Sequence, residues 1–505
     1  MLQVNKFYII YSLNWLTLAV ISVFQYPMLF SKSCFFQKNW LFCAENVTGS
    51  SKFIDIFIIS IFFINLFLSG IFCWKVFKKE YIIKNNIKYL IIGLSLLLPI
   101  FIFPFGSGDM THYFSSGKAA SGGINLYSSQ WNWEKDYNNS QVVEILAGYS
   151  YGPIVLDILN IFYKLSNNKI YTFILFWKIF MVGVVALCGY LIKYIIKMIV
   201  PSASLNNFYI FWFTQPIFLF ECLVDGHFDI LWLVFLLLAI IFAHHNKWWL
   251  VFPLLAIGVW IKFIPILVAP WFLLWWWQKT NRLNWKSNTV NLFVGSILTI
   301  LLTIGVWYKY WVGFSVFNFI ILQSKWAISS IFSVVYYSFL PFFKNIFGTN
   351  YHWYLTRFAH AVVLVAFIYL LVPLIKNIFK IFLKKQTFST SQYIVSIFIS
   401  LFSYLVIWQK SIWPWYFVWI LPLGLIVYFI SRNLYLEKLL IWLGTAPLIS
   451  YIVWFINWQL IHTDAFGEYW YFCFTVFFVT GYPLYNFIKW RKQGYSDVLD
   501  NVNNI

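Results

Sequence analysis

Charge is what this chain has least of. Only 10% of its 505 residues are Asp, Glu, Lys or Arg, against roughly 25% in an ordinary soluble domain, which excludes a soluble globule of this size. Acids are the scarcer sign, 16 against 35 bases. Cysteine is scarce as well, with six in all, too few for a disulfide-built scaffold. No Gly-rich loop stands between a strand and a helix, so a soluble nucleotide donor is not indicated. Internal repeats and low-complexity tracts are lacking too. The first apolar segment is longer than a signal-peptide core and has no small-residue cleavage site, so it is expected to stay as an anchor.

What fills the chain instead is apolar and aromatic: 62% hydrophobic residues and 24% Phe, Trp and Tyr. Apolar segments near 8–31, 53–74, 88–105, 171–192, 205–221, 228–243, 248–277, 289–307, 354–375, 392–407, 414–430, 439–457 and 468–488 are long enough to span a bilayer. The run 248–277 is too long for one crossing and holds Lys262, Pro265 and Pro270, so it reads as two helices broken near Pro265. The expected fold is an all-α polytopic membrane protein of about 14 crossings. It forms one integral membrane domain over 1–505, with a large outer loop at 106–148 and a cytoplasmic tail at 489–505. The short apolar segment 149–165 is read as re-entrant or interfacial, because a lone crossing there would invert every later loop.

The formal net charge of +19 would suit nucleic acid, but its distribution follows the positive-inside rule. With the N-terminus in the cytoplasm, the inner segments hold 21 bases against four acids, Glu80, Glu437, Asp497 and Asp500. The remaining 14 bases and 12 acids nearly balance, so orientation accounts for the excess and the partner is the lipid bilayer, not nucleic acid. Cys34 and Cys43 fall in the first outer loop, where they could pair, while Cys73, Cys188, Cys222 and Cys473 read as small buried apolar side chains. Asn46-Val47-Thr48 and Asn138-Asn139-Ser140 match the glycosylation acceptor pattern on the outer side.

The same topology gathers the unusual polar residues on the outer side. Asp109 follows an apolar span, and an acid there costs roughly 2.5 to 3.5 kcal/mol at a helix centre, which makes it a functional candidate. Gly122-Gly123-Ile124-Asn125-Leu126-Tyr127 and Tyr151-Gly152-Pro153 come next; the glycines also suit a turn with positive φ, and Pro153 the start of a helix. Glu221, Asp225, His227 and Asp229 then fall within nine residues. Asp225, His227 and Asp229 admit three readings: a satisfied polar knot, a donor-phosphate site, or ligands for a divalent metal, although their spacing fits no strict metal pattern. Lys262 marks the helix break, and Trp413, Trp415 and Trp419 suit an interfacial aromatic belt. A carboxylate that takes a hydroxyl proton and a Lys that holds a departing phosphate suit transfer chemistry from a membrane-resident donor.

These elements, in this order, resemble those of the GT-C superfamily of polyprenyl-phosphate-sugar-dependent glycosyltransferases, nearest to the prokaryotic mannosyltransferase-like group. The resemblance rests on Asp109, Tyr113, Gly123-Ile124-Asn125-Leu126-Tyr127, Tyr151-Gly152-Pro153, Gly226-His227-Phe228-Asp229, Lys262 with Pro265, and Pro414-Trp415-Tyr416, and covers roughly residues 100–420. Leu126 stands where Pro is usual and Phe228 where Asn is usual, which leaves the sugar open. The resemblance implies a GT-C-like arrangement of broken helices with the catalytic Asp in the large outer loop. It further implies an inverting hexosyl transfer, mannosyl in the nearest members, from a polyprenyl-phosphate donor to a hydroxyl of a glycan or glycolipid acceptor. Asp109 would be the base, with Tyr113, Tyr151, His227, Asp229, Lys262 and Trp415 as substrate-binding residues, and a β-linked donor would give an α-glycoside. The implied setting is a bacterial plasma membrane with the site facing outward. A transporter or flippase of lipid-linked saccharides is the rival, and it would also need broken helices.

Overall fold

A computed structural model describes residues 85–102, 104, 109–128, 149, 151–280, 285–317, 330–383, 387–456 and 476–493, with scattered positions between 60 and 74. Among these the secondary structure is helical, and no sheet forms. The α-helices in chain order are α1 (Asn85–Phe101), α2 (Asp109–Ser121), α3 (Pro153–Leu165), α4 (Ile170–Ile199), α5 (Phe208–Phe213), α6 (Leu231–His244), α7 (Trp248–Ile261), α8 (Ala269–Thr280) and α9 (Trp285–Trp307). They continue with α10 (Ile331–Phe347), α11 (Tyr351–Leu383), α12 (Thr390–Ser403), α13 (Ile420–Ser431), α14 (Leu434–Leu443), α15 (Ile449–Ile456) and α16 (Tyr482–Gln493).

Five helical stretches of the described residues are long and apolar enough to cross a membrane: Ile170–Ile199, Trp285–Trp307, Ile331–Val372, Thr390–Trp408 and Pro414–Ser431. A sixth arises if the bent pair Phe218–Val224 and Phe228–His244 is one broken span. The protein is thus a multi-pass membrane protein. The stretch Ile331–Val372 is not a straight rod. Phe332 meets His360 with ring centroids 4.8 Å apart, and Phe343 meets Phe358 at 5.4 Å, contacts that a continuous helix rising 1.5 Å per residue cannot make. The chain turns back at Gly348, whose φ is +51°, and α10 and α11 form an antiparallel hairpin. The expected anchor at 8–31, the Cys34–Cys43 pair and both glycosylation patterns lie outside the described residues, as do Cys73 and Cys473. Cys188 and Cys222 are buried, as expected.

Burial separates the central helices from the peripheral ones. In the spans Thr390–Trp408 and Pro414–Ser431, 83% of the apolar window is covered by protein, whereas along Trp285–Trp307 only 6% is. Phe293, Ile300, Leu301 and Ile304 of α9 are each more than half exposed, a face that suits lipid and not water. Inside the bundle, Lys178 of α4 is fully buried, and its ammonium donates to the Pro99 carbonyl at 3.0 Å and to that of Ile102. The end of α1 thereby gains a cation where its unpaired carbonyls concentrate negative partial charge.

Two sequence expectations meet the structure near the site. The break near Pro265 is present: α7 ends at Ile261, Ile264–Val268 is a 3-10 turn, and α8 resumes at Ala269. The start of the expected large loop, by contrast, is a helix. Asp109 in the first turn of α2 and Lys118 in the last complement the helix dipole. The Ile124 and Gly123 amides then close the C-terminus on the carbonyls of Ala119 and Ala120 at 3.0 and 3.1 Å, with Gly123 at φ +78°, the glycine-dependent termination of a Schellman motif. The segment 149–165 contributes α3, whose 13 residues reach about 20 Å at 1.5 Å each, short of a bilayer core. It packs along α2, where a Cβ on Gly117 would lie 2.6 Å from the Leu159 carbonyl oxygen.

Candidate active site

The candidate site forms where a helix breaks. Phe218–Val224 is π-helical, with the Asp225 amide donating to the Phe220 carbonyl at 2.8 Å, so the turn holds an extra residue. Gly226 follows with φ +76°, a conformation that glycine enters freely, and a Cβ there would stand 2.3 Å from Met110 Cε. The His227 amide then returns to the Glu221 carbonyl at 2.8 Å, and a 3-10 turn, Phe228–Ile230, leads into α6. The two arms are bent by 103°. Glu221, Asp225, His227 and Asp229, each at most 1% exposed, consequently surround one corner.

One half of the site centres on Asp109. Its Oδ2 lies 3.4 Å from His227 Nε2 and accepts from the Tyr113 hydroxyl at 3.5 Å. Burial pushes the Asp109 carboxyl up, but the hydrogen bond and charge of His227, with His112 and Lys262 behind it, outweigh that and hold it below the usual carboxylate range. On the other side of the imidazole, Nδ1 lies 3.1 Å from Glu221 Oε2, an oxygen that accepts from the Tyr451 hydroxyl at 3.2 Å. Trp415 stacks on the His227 ring, with centroids 4.2 Å apart and planes at 17°.

The other half centres on Lys262, at the C-terminal end of α7. Its ammonium is ion-paired with Asp229 Oδ1, which also accepts from Trp419 Nε1 at 3.0 Å. The rings of Tyr416 and Trp419 lie 4.5 and 4.6 Å from the ammonium, and that of Tyr151 lies 6.0 Å away, a three-sided aromatic seat for a cation. Asp229 leaves the ammonium further donors, since it has three.

An aromatic wall joins the halves. Phe228 sits 4.7 Å from Tyr151 and 5.1 Å from Tyr113, so the Phe that replaces the usual Asn completes the wall by packing. Tyr151 is held by its backbone. The Tyr127 hydroxyl donates to the Tyr151 carbonyl at 2.6 Å, while Asn125 accepts from the Tyr127 amide at 3.0 Å and donates to the Tyr310 carbonyl at 3.1 Å. The Gly152 amide donates to the Ile261 carbonyl at 3.0 Å, and a Cβ on Gly152 would stand only 1.9 Å from the Trp260 carbonyl oxygen. The two glycine-bearing elements that precede α3 thus act as a brace that fixes Tyr151 beside Lys262.

Asp109, Tyr113, Tyr151, His227, Asp229, Lys262 and Trp415 therefore fall in one connected cluster. For a metal, the structure groups Glu221 with Asp225 and His227, whose ligand atoms lie within 4.8 Å of one another. Asp229, the third candidate named from sequence, faces Lys262 and Trp419 instead. Two carboxylates and an imidazole are a donor set that a divalent cation accepts. Sequence reasoning named Tyr416 only as the end of the Pro414-Trp415-Tyr416 element and Trp419 only as an aromatic-belt residue, and gave neither a place beside Lys262. Both could have been found from that element, whereas Tyr451, far along the chain, carried no signal.

Apolar crossing helices around a buried acid–imidazole cluster at a helix break define a polytopic membrane protein with an ionic site at its centre. Residues 58–279 match the family described as Alpha-(1->6)-mannopyranosyltransferase, N-terminal domain, a stretch that holds every site element from Asp109 to Lys262. The match covers less than half of the chain; over that stretch the chain is similar to this mannosyltransferase family, in line with the motif resemblance, and the match supports a mannosyl transfer activity. No curated protein matches the chain.

Proposed function

We propose that the protein transfers a mannosyl group from a polyprenyl-phosphate donor to a hydroxyl of a glycan or glycolipid acceptor, with inversion, on the outer face of a bacterial plasma membrane. The observation that carries this reading is the placement of the Asp109 carboxylate and the Lys262 ammonium on one aromatic-walled site. Asp109 takes the proton of the acceptor hydroxyl, whose oxygen attacks the anomeric carbon. The bond from that carbon to the phosphate oxygen breaks, and polyprenyl phosphate leaves with the electron pair. Lys262, steadied by Asp229 and Trp419, has donors left for the phosphate. An inverting step on a β-linked donor yields an α product, in keeping with the alpha-(1->6) linkage in the name of the matched family.

The test uses purified protein in lipid vesicles with an acceptor glycan. Transfer is expected from polyprenyl-phosphate mannose and not from the nucleotide sugar alone. Transfer from the nucleotide sugar in the absence of polyprenyl phosphate would overturn the donor assignment. Movement of intact lipid-linked saccharide across the bilayer, without a new glycosidic bond, would favour the transporter that the bent helix pair also suits.

A further inference from the structure

Glu221, like Asp225, is an acid of the cluster to which the transfer reading assigns no part, and it is fully buried in a helix turn of unusual form. Its contacts run in a line. Tyr451 donates to Glu221 Oε2, the same oxygen lies 3.1 Å from His227 Nδ1, and His227 Nε2 lies 3.4 Å from Asp109 Oδ2. The backbone repeats the link, since the Glu221 carbonyl accepts the His227 amide at 2.8 Å. The π-helical turn and the positive φ of Gly226 bring residue 227 back over residue 221. Trp415 stacks on the face of the ring and sets its plane, but a half-turn about Cβ–Cγ keeps that plane while exchanging Nδ1 with Cδ2 and Nε2 with Cε1. Whether Nε2 or a carbon faces Asp109 is therefore decided at the ring edges, and the Glu221 carboxylate 3.1 Å from Nδ1 favours the orientation that turns Nε2 to Asp109.

We infer that Glu221 is a positioning residue of the transfer reaction: through Nδ1 it locks the His227 ring so that Nε2 holds Asp109 in the orientation in which it takes the acceptor proton. The inference rests on Asp109 being the base, as proposed above. Loss of Glu221 leaves Lys262 and Tyr151 in place but lets the ring flip and Asp109 shift, and a displacement of about 1 Å at a reacting group costs about 100-fold in rate. Glu221→Gln keeps the shape and one acceptor oxygen and so restores part of the loss.

The experiment measures kcat and KM for polyprenyl-phosphate mannose, per folded molecule, with purified full-length protein in lipid vesicles. Glu221→Ala is expected to lower kcat about 100-fold and Glu221→Gln about tenfold, both with KM within about twofold of the parent. Neither is expected to lower activity further when Asp109→Asn is already present, because residues acting as a unit are not additive. If the Ala variant fails to fold, the Gln variant and its Asp109→Asn cycle decide alone. A Gln variant whose kcat stays within twofold of the parent overturns the inference. So does a loss of parental activity on chelation that added divalent metal reverses, with Gln as inactive as Ala, which would make Glu221 a metal ligand. Full activity in Asp109→Asn by itself would instead sink the base assignment, so the two failures are distinguishable.

Discussion

Gly152→Ala probes the joint between the Tyr151 brace and the Lys262 helix. The added Cβ would stand 1.9 Å from the Trp260 carbonyl oxygen, where ordinary contact begins at 3.4 Å. The two segments must therefore part by about 1.5 Å, the difference of those distances. The obstacle is backbone on α7, so no side-chain rotation relieves it, and the hydrogen bond from the Gly152 amide to Ile261 stretches with the gap. Overpacking of this kind costs about 1 to 3 kcal/mol. The separation moves Tyr151 from the Lys262 ammonium, and a shift of about 1 Å in a positioned group costs about 100-fold in rate. The assay is initial-rate mannosyl transfer per folded molecule, paired with thermal unfolding in lipid. Gly183→Ala is the control, since nothing lies within 4 Å of its would-be Cβ, and it is expected to be neutral or slightly stabilising because Ala favours a helix by up to about 1 kcal/mol. A Gly152→Ala protein that transfers within twofold of the parent would refute the claim that this joint positions the site.

Asp109→Asn is expected to cut transfer at least about 100-fold, the usual effect of losing a general base, while expression and membrane insertion stay near normal. Retention of more than about a tenth of the activity would move the base elsewhere. The orientation is checked by cysteines introduced at Gln130 and at Ser287. An impermeant thiol reagent applied to intact cells is expected to label the first and not the second, and labelling of both, or the reverse, would discard the topology drawn from Lys and Arg.

Sequence by itself determined the solvent of this protein and singled out several candidate residues for its site. Scarce charge and long apolar runs can be read locally, because a bilayer core demands them of each crossing separately. The break at Pro265 was legible for a like reason, since a proline removes a helix hydrogen bond wherever it stands. Buried charge among apolar helices is costly, so Asp109, His227, Asp229 and Lys262 stood out one by one. How they pair is another matter. Only the tertiary structure decided that Asp229 belongs to Lys262 and Trp419 while Glu221 belongs to His227, because each pairing depends on the π-helical turn and on the 103° bend that follows it, and neither leaves a periodic trace in the chain. The helix at Asp109–Ser121 was hidden by its weakly apolar composition, being stabilised by end charges, a glycine cap and packing on α3. Tyr451 reaches Glu221 across 230 positions of sequence, a contact fixed by the fold of the whole bundle and by no local signal.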